Sequence, residues 1–152
     1  MRALRWLFVL ALVGSAIALS TAWPRVSEVE TGASHEYANL APRAFPQTPA
    51  EVSRAVESAV TALPGWSLRG SGSGSGGHAI QAEHRLLSFA PFREDIVVSV
   101  RPTGKGSRVS IRSRSRVGPW DLGQNARNIR QLLAELDRRL APTRGKVGES
   151  SS

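Results

Sequence analysis

The chain has 152 residues, 20 Lys and Arg against 12 Asp and Glu, and no cysteine. That length permits one domain of ordinary size. The missing cysteine excludes disulfides, thiolate metal sites, thiol nucleophiles and lipid attachment to an N-terminal cysteine. The excess charge is uneven: residues 1–100 hold eight basic and eight acidic side chains, whereas residues 101–146 hold twelve basic ones against Asp121, Glu135 and Asp137. A basic region of this kind raises affinity for nucleic acid, anionic lipid or acidic polymer. Eighteen of the twenty cations are Arg, a bias that genomic base composition also produces, so it is weak support for phosphate recognition.

The N-terminus narrows the choice of partner. Arg2 and Arg5 precede an uncharged run from Trp6 to Pro24. Cation, apolar stretch and small residues form the layout of a secretory signal, with Ala16-Ile17-Ala18 and Ala18-Leu19-Ser20 as A-x-A-like cleavage sites. The competing reading is an uncleaved anchor. Trp6 to Trp23 would make roughly 27 Å of helix, close to a ~30 Å hydrocarbon core, with a Trp at each interface. Residues 1–24 are thus expected to be a signal-anchor or signal peptide, and the positive-inside rule puts the rest of the chain outside the cytoplasm. This export argues against nucleic acid as a partner. Residues 25–47 show no sustained periodicity and are expected to form an extended tether or an arm along the domain.

Residues 48–141 carry the domain. Thr48-Pro49-Ala50-Glu51 combines a capping Ser/Thr-x-x-Glu pattern with Pro at the first helical position. Val52, Val56, Ala59, Val60 and Leu63 then recur at helical spacing until Pro64-Gly65. Trp66 to Leu68 predicts a short strand, and the Gly/Ser run from Gly70 to Gly77 predicts a slack hairpin loop. As a phosphate-cradling loop that run lacks both the Lys-Ser/Thr ending and a following helix. His78–Leu87, Ile96–Arg101 and Arg108–Val117 are strand candidates, with a turn over 102–107 between the last two. Asp121, with Gln124 three residues on, predicts a capped helix carrying Leu122, Ala126, Ile129, Leu133, Leu136 and Leu140 on one stripe. Residues 142–152 are expected to be disordered. The order helix, strands, helix predicts an α+β fold: an antiparallel sheet of three to five strands, two helices on one face, and a hydrophobic helix ahead of them.

From Phe92 to about Leu133 the chain resembles a bacterial family known as domain of unknown function 1499. The likeness rests on Phe92-Arg93-Glu94-Asp95-Ile96 and on Arg112 to Asn125, read as R-S-x-S-R-x-G-x-x-D-x-G-x-N. Two departures stand out. The cysteine-containing opening segment frequent in the family is absent, and Asn128 occupies a position usually held by Arg, with arginines at Arg127 and Arg130 instead. The resemblance implies an exported or envelope-associated bacterial protein and implies no activity.

Two accounts of the shared residues follow from their chemistry. Structurally, Gly118 and Gly123 permit a tight strand-to-helix connection, Asp121 caps, and Asn125 bonds backbone in the turn. Ser113 and Ser115 would be small inward positions in register with Val109, Ile111 and Val117. Functionally, Asp95, Arg112, Arg116, Asp121 and Asn125 would surround a shallow anion or carboxylate site, since the guanidinium fork suits bidentate recognition and a helix N-terminus adds donors. The residues Arg112, Arg114 and Arg116 should share one sheet face with Asp95, Val97, Ser99 and Arg101, while Ile96, Val98 and Val100 face Ile111 and Val109 across the strand pair. His35, His78 and His84 show no metal-ligand spacing. His78 and His84 would share one side of a strand, beside Glu83 or Glu94, and read as surface residues. No catalytic set, metal or cofactor is implied. The reading of choice is an exported, membrane-tethered binding or structural accessory domain, held through residues 6–23; its arginine row is either a solvated face or one that docks on anionic lipid or an acidic envelope partner. The alternative is an envelope hydrolase using the acidic and Ser residues near the Arg motif.

Overall fold

A computed structural model describes residues 26–85, 93–117, 121 and 123–141. The hydrophobic N-terminal run and the C-terminal tail lie outside the described residues. Among those described, no helix is long and apolar enough to cross a membrane.

Helix α1, Pro49–Ala62, begins as its local chemistry requires. The Thr48 hydroxyl accepts from the Glu51 N–H, and Glu51 Oε2 accepts from the Thr48 N–H at 2.9 Å. These two bonds satisfy donors that a helix start otherwise leaves open. Val52, Val56, Ala59 and Val60 are buried, and the Leu63 N–H closes the helix on the Ala59 carbonyl.

The sheet has six antiparallel strands, one more than the upper expectation: β1 (Glu28–Glu30), β2 (Arg43–Phe45), β3 (Trp66–Gly74), β4 (Gly77–Arg85), β5 (Arg93–Thr103) and β6 (Gly106–Ser115). Their order is β1-β6-β5-β4-β3, with β2 also paired to β6. The two extra strands come from the segment expected to be an arm. Thr31 exchanges bonds with Ile111, its N–H to the carbonyl and its hydroxyl from the N–H, both at 3.0 Å. Val29, Leu40 and Phe45 enter the core. Three-residue strands carry no readable alternation, so only pairing with β6 reveals them.

The Gly/Ser run is likewise strand and not slack loop. Gly70, Ser71, Gly72, Ser73 and Gly74 pair with Gln81 through Gly77, leaving Ser75-Gly76 as the turn. Backbone pairing to a well-formed β4 outweighs the poor strand propensity of glycine. Gly77 must be glycine: its φ is +124°, and a Cβ there would stand 2.2 Å from the Val100 carbonyl oxygen.

Helix α2, Gln124–Leu140, buries Ala126, Ile129, Leu132, Leu133 and Leu136. It lies over β6 and β1, while α1 lies over β3, β4, β5 and β6. Both helices therefore cover one sheet face, against Ile80, Ala82, Ile96, Val98, Val100, Val109 and Ile111. Each of these Val and Ile side chains stabilises the fold by about 1.5–3 kcal/mol on full burial. The registers Val98↔Ile111 and Val100↔Val109 match the expected facing pairs. Val117, expected to continue the inward series, lies beyond the end of β6 and is 48% exposed. The arm is clamped to the far end of α2 by Gln47 Nε2 donating to the Leu140 carbonyl at 2.8 Å and by the ion pair Arg43–Asp137 at 3.3 Å. Among the described residues no helix lies over the other sheet face.

Candidate anion-binding face

The polar residues of the Arg-Ser motif divide between the two faces. On the covered side, both oxygens of Asp121 are engaged: Oδ1 accepts from the Gly123 N–H at 2.8 Å and Oδ2 from the Asn125 N–H at 2.7 Å. Asp121 thus caps α2 from two positions before the cap residue. Gly123 itself occupies the cap position in the left-handed region, φ +76°. The expected box with Gln124 does not form, because that side chain is buried and donates to Asn128 Oδ1 at 2.8 Å. Fully buried Asn125 accepts from the Ser113 hydroxyl at 2.7 Å and donates to the Ser27 carbonyl at 3.0 Å and to Ser115 Oγ at 3.2 Å. Asn128, at the position where the family usually has Arg, is also fully buried and donates to Ser113 Oγ at 3.3 Å. These bonds join the start of α2 to β6 and to the incoming chain, which is a structural task.

The histidines correct a second expectation. His84 is a buried residue, not a surface one. It sits on the covered side with Nδ1 3.1 Å from Glu94 Oε2, and its ring centroid is 5.5 Å from that of Trp66. Trp66 Nε1 donates to Gln131 at 3.3 Å. His78 pairs with the Ser73 hydroxyl at 2.8 Å, and His35 lies on an exposed 3-10 turn. Among the described residues no three His, Asp or Glu side chains could hold a metal ion. Asp95 is on the opposite face from His84, Asp121 is spent on its cap, and Ser113 is fully buried between two Asn side chains. No nucleophile, base and orienting acid converge among these residues.

The uncovered face is where the cations gather. β6 contributes Arg108, Arg112 and Arg114, followed by Arg116; β5 contributes Arg93, Asp95 and Arg101; β4 contributes Glu83 and Arg85; β3 contributes Arg69; β1 contributes Glu28 and Glu30. Eight arginines thus stand against four carboxylates. Arg112 and Arg114 share Glu28, at 3.7 and 3.8 Å. Arg116 forms a two-pronged bond to Asp95, its Nε at 2.9 Å from Oδ2. Arg101 and Arg108 are direct cross-strand neighbours, and among the described residues no acid is within ion-pair distance of either. Like charges so placed repel. Alongside, the alternate glycines of β3 leave bare backbone and a trough bordered by Gln81, Ser99 and Arg101.

Glu83 is the unusual member of this face. It is fully buried, although neither α1 nor α2 lies above it. Arg69 at 2.7 Å, Arg85 at 2.9 Å and Arg116 at 3.2 Å close over its carboxylate, with Arg93 at 3.8 Å. The hydrogen bond from Arg69, supported by Arg85 and the charge of Arg116, holds its carboxyl at about 2 against the upward push of desolvation.

The five residues expected to form one anion site are therefore not gathered. Asp95 and Arg116 are bonded partners, Arg112 pairs further along with Glu28, and Asp121 and Asn125 lie behind the sheet. Period two had placed the arginines of β6 correctly, but Glu83, Arg69, Arg85, Arg93 and Glu28 were missed. The alternation of Glu83 and Arg85 within their strand was a usable signal for two of them.

Solved structures to which the chain is similar include protein CV1439 from Chromobacterium violaceum, at 12% identity and a TM-score of 0.44, covering 76% of this chain and 99% of that one. A second is protein MLL2253 from Mesorhizobium loti, at 13% identity and a TM-score of 0.48, covering 73% of this chain and 94% of that one. No curated protein is significantly similar to the chain. The sequence model of the family described as Protein of unknown function (DUF1499) matches residues 18–136, and the chain belongs to that family.

Proposed function

We propose that this protein is an exported, membrane-tethered accessory domain of the bacterial envelope that binds an anionic partner through its uncovered sheet face. The observation that carries the reading is the surplus of eight arginines over four carboxylates on a face that neither helix covers. An ordinary solvated sheet face mixes both signs, whereas this one leaves Arg101 opposite Arg108 with no acid between them. Glu28 follows Trp23 by five residues, so an anchor ending there keeps β1 within about 17 Å of the bilayer surface at ~3.4 Å per residue. Charges more than about one Debye length apart, ~8 Å at physiological ionic strength, are largely screened, so what this short tether supports is direct approach of the face to anionic head groups.

Flotation of the chain from residue 25 onward on anionic and on neutral vesicles tests this. Binding should favour the anionic vesicles, weaken as salt rises toward 1 M, and fall when Arg108, Arg112 and Arg114 are all changed to Gln. Equal flotation on both vesicle types sinks the binding role. A reporter fused after Ser152 and active in the cytoplasm sinks the export.

A further inference from the structure

Four guanidinium groups converge on Glu83 from separate backbone stretches: Arg69 from β3, Arg85 from β4, Arg93 from β5 and Arg116 just past β6. With Asp95 the cluster holds two carboxylates against four cations, an excess of two positive charges. Arg85 and Arg93 are also direct neighbours across the β4–β5 pair, and their repulsion is offset by a single oxygen, Glu83 Oε1, which both approach. Arg93 comes no closer than 3.8 Å to Glu83. Freely solvated arginines would spread apart; here a buried carboxylate gathers them. Each guanidinium carries five N–H donors, and few of the twenty are used within the cluster. The four arginine side chains are 40–48% exposed, so solvent or a ligand can reach the cluster. Glu83 stays ionised down to about pH 2, so the seat persists at any physiological pH.

We infer that this cluster is a binding site for the phosphate of an anionic lipid head group, with Arg85 and Arg93 as the principal forks, Arg69 and Arg116 flanking, and Glu83 as the positioning residue. This deepens the proposed role of the open face and rests on it. Forks arriving from four directions suit a tetrahedral oxyanion, whose oxygens spread in space, better than a planar carboxylate served by one fork. The cluster also lies at the end of the sheet where the chain enters: the Ser115 N–H donates to the Ser27 carbonyl at 2.8 Å, and the Arg116 N–H to the Arg93 carbonyl at 3.0 Å. A tether preceding residue 26 therefore reaches the domain beside this site, which selects a head group as the source of the phosphate.

The test uses the full chain in neutral-detergent micelles, titrated with inorganic phosphate, glycerophosphoglycerol, acetate and chloride at matched ionic strength, with the thermal midpoint as readout. Both phosphates should raise the midpoint above acetate and chloride. Arg93→Gln, which removes no hydrogen bond made to either carboxylate, should weaken the apparent phosphate affinity at least about tenfold, the loss of one charge-assisted contact. Arg54→Gln on α1 should leave it unchanged. A midpoint that responds alike to all four anions overturns the site, as does phosphate binding unaltered in both Arg93→Gln and Arg85→Gln. Binding of inorganic phosphate without the diester overturns the lipid head group as its source. Failure here with intact preference for anionic vesicles removes this site and spares the broader reading; phosphate binding without vesicle preference does the reverse.

Discussion

Replacing Glu83 by glutamine keeps the side chain's shape and removes the charge on which three guanidinium groups close. The carboxyl is held at about 2 from an ordinary 4.5. A depression of that size corresponds to roughly 3 kcal/mol at 1.36 kcal/mol per unit. The arginine side chains around it are nearly half exposed, and solvent screening reduces the figure to about 1–2 kcal/mol. A lowered folded-state pKa contributes stability that is complete above the unfolded value and is lost as pH falls toward the folded one. The expected outcome is therefore specific in pH. In urea unfolding followed by circular dichroism, Glu83→Gln should be less stable than wild type by about 1–2 kcal/mol at pH 7. The gap should shrink from about pH 4.5 downward and close near pH 2. A gap that is absent at pH 7, or that stays constant down to pH 2, refutes the reasoning that the ionised carboxylate organises the arginines.

Three further outcomes are expected. Asp121→Asn should lower the melting temperature less than Asp121→Ala, because Asn keeps one of two accepting oxygens; the Ala variant should lose about 0.5–2 kcal/mol, and equal melting temperatures for all three proteins would exclude the cap. Ser113→Ala should cost about 1–3 kcal/mol in urea unfolding, because it strips buried Asn125 and Asn128 of their shared hydroxyl, and a change below ~0.5 kcal/mol would show that water or rearrangement replaces it. Gly106→Ala should destabilise by more than about 1 kcal/mol, since its φ is +134° and a Cβ would stand 2.2 Å from the Phe45 carbonyl oxygen; a neutral effect in thermal unfolding would contradict the close approach of β2 to the β5–β6 turn.

What the sequence determined by itself was local. The capping box of α1 lies within four residues, and the stripes of both helices and the alternation of β4, β5 and β6 repeat within a few residues, so neighbouring side chains alone specify them. The β5–β6 register was legible for the same reason, since a short turn leaves one way to match Val98 and Val100 with Ile111 and Val109. Only the tertiary structure decided the rest. Glycines 70, 72 and 74 become strand because β4 offers a partner, and residues 28–30 and 43–45 become strand because β6 has a free edge. Period two assigns Glu83 and His84 to opposite faces but cannot say which face the helices cover. Once α1 and α2 settle on the His84 side, that residue needs Glu94 for a partner, and Glu83 is left on the open side to be buried by arginines instead. Burial without a covering helix depends on charges brought from four separate stretches of chain, and no local pattern encodes their meeting.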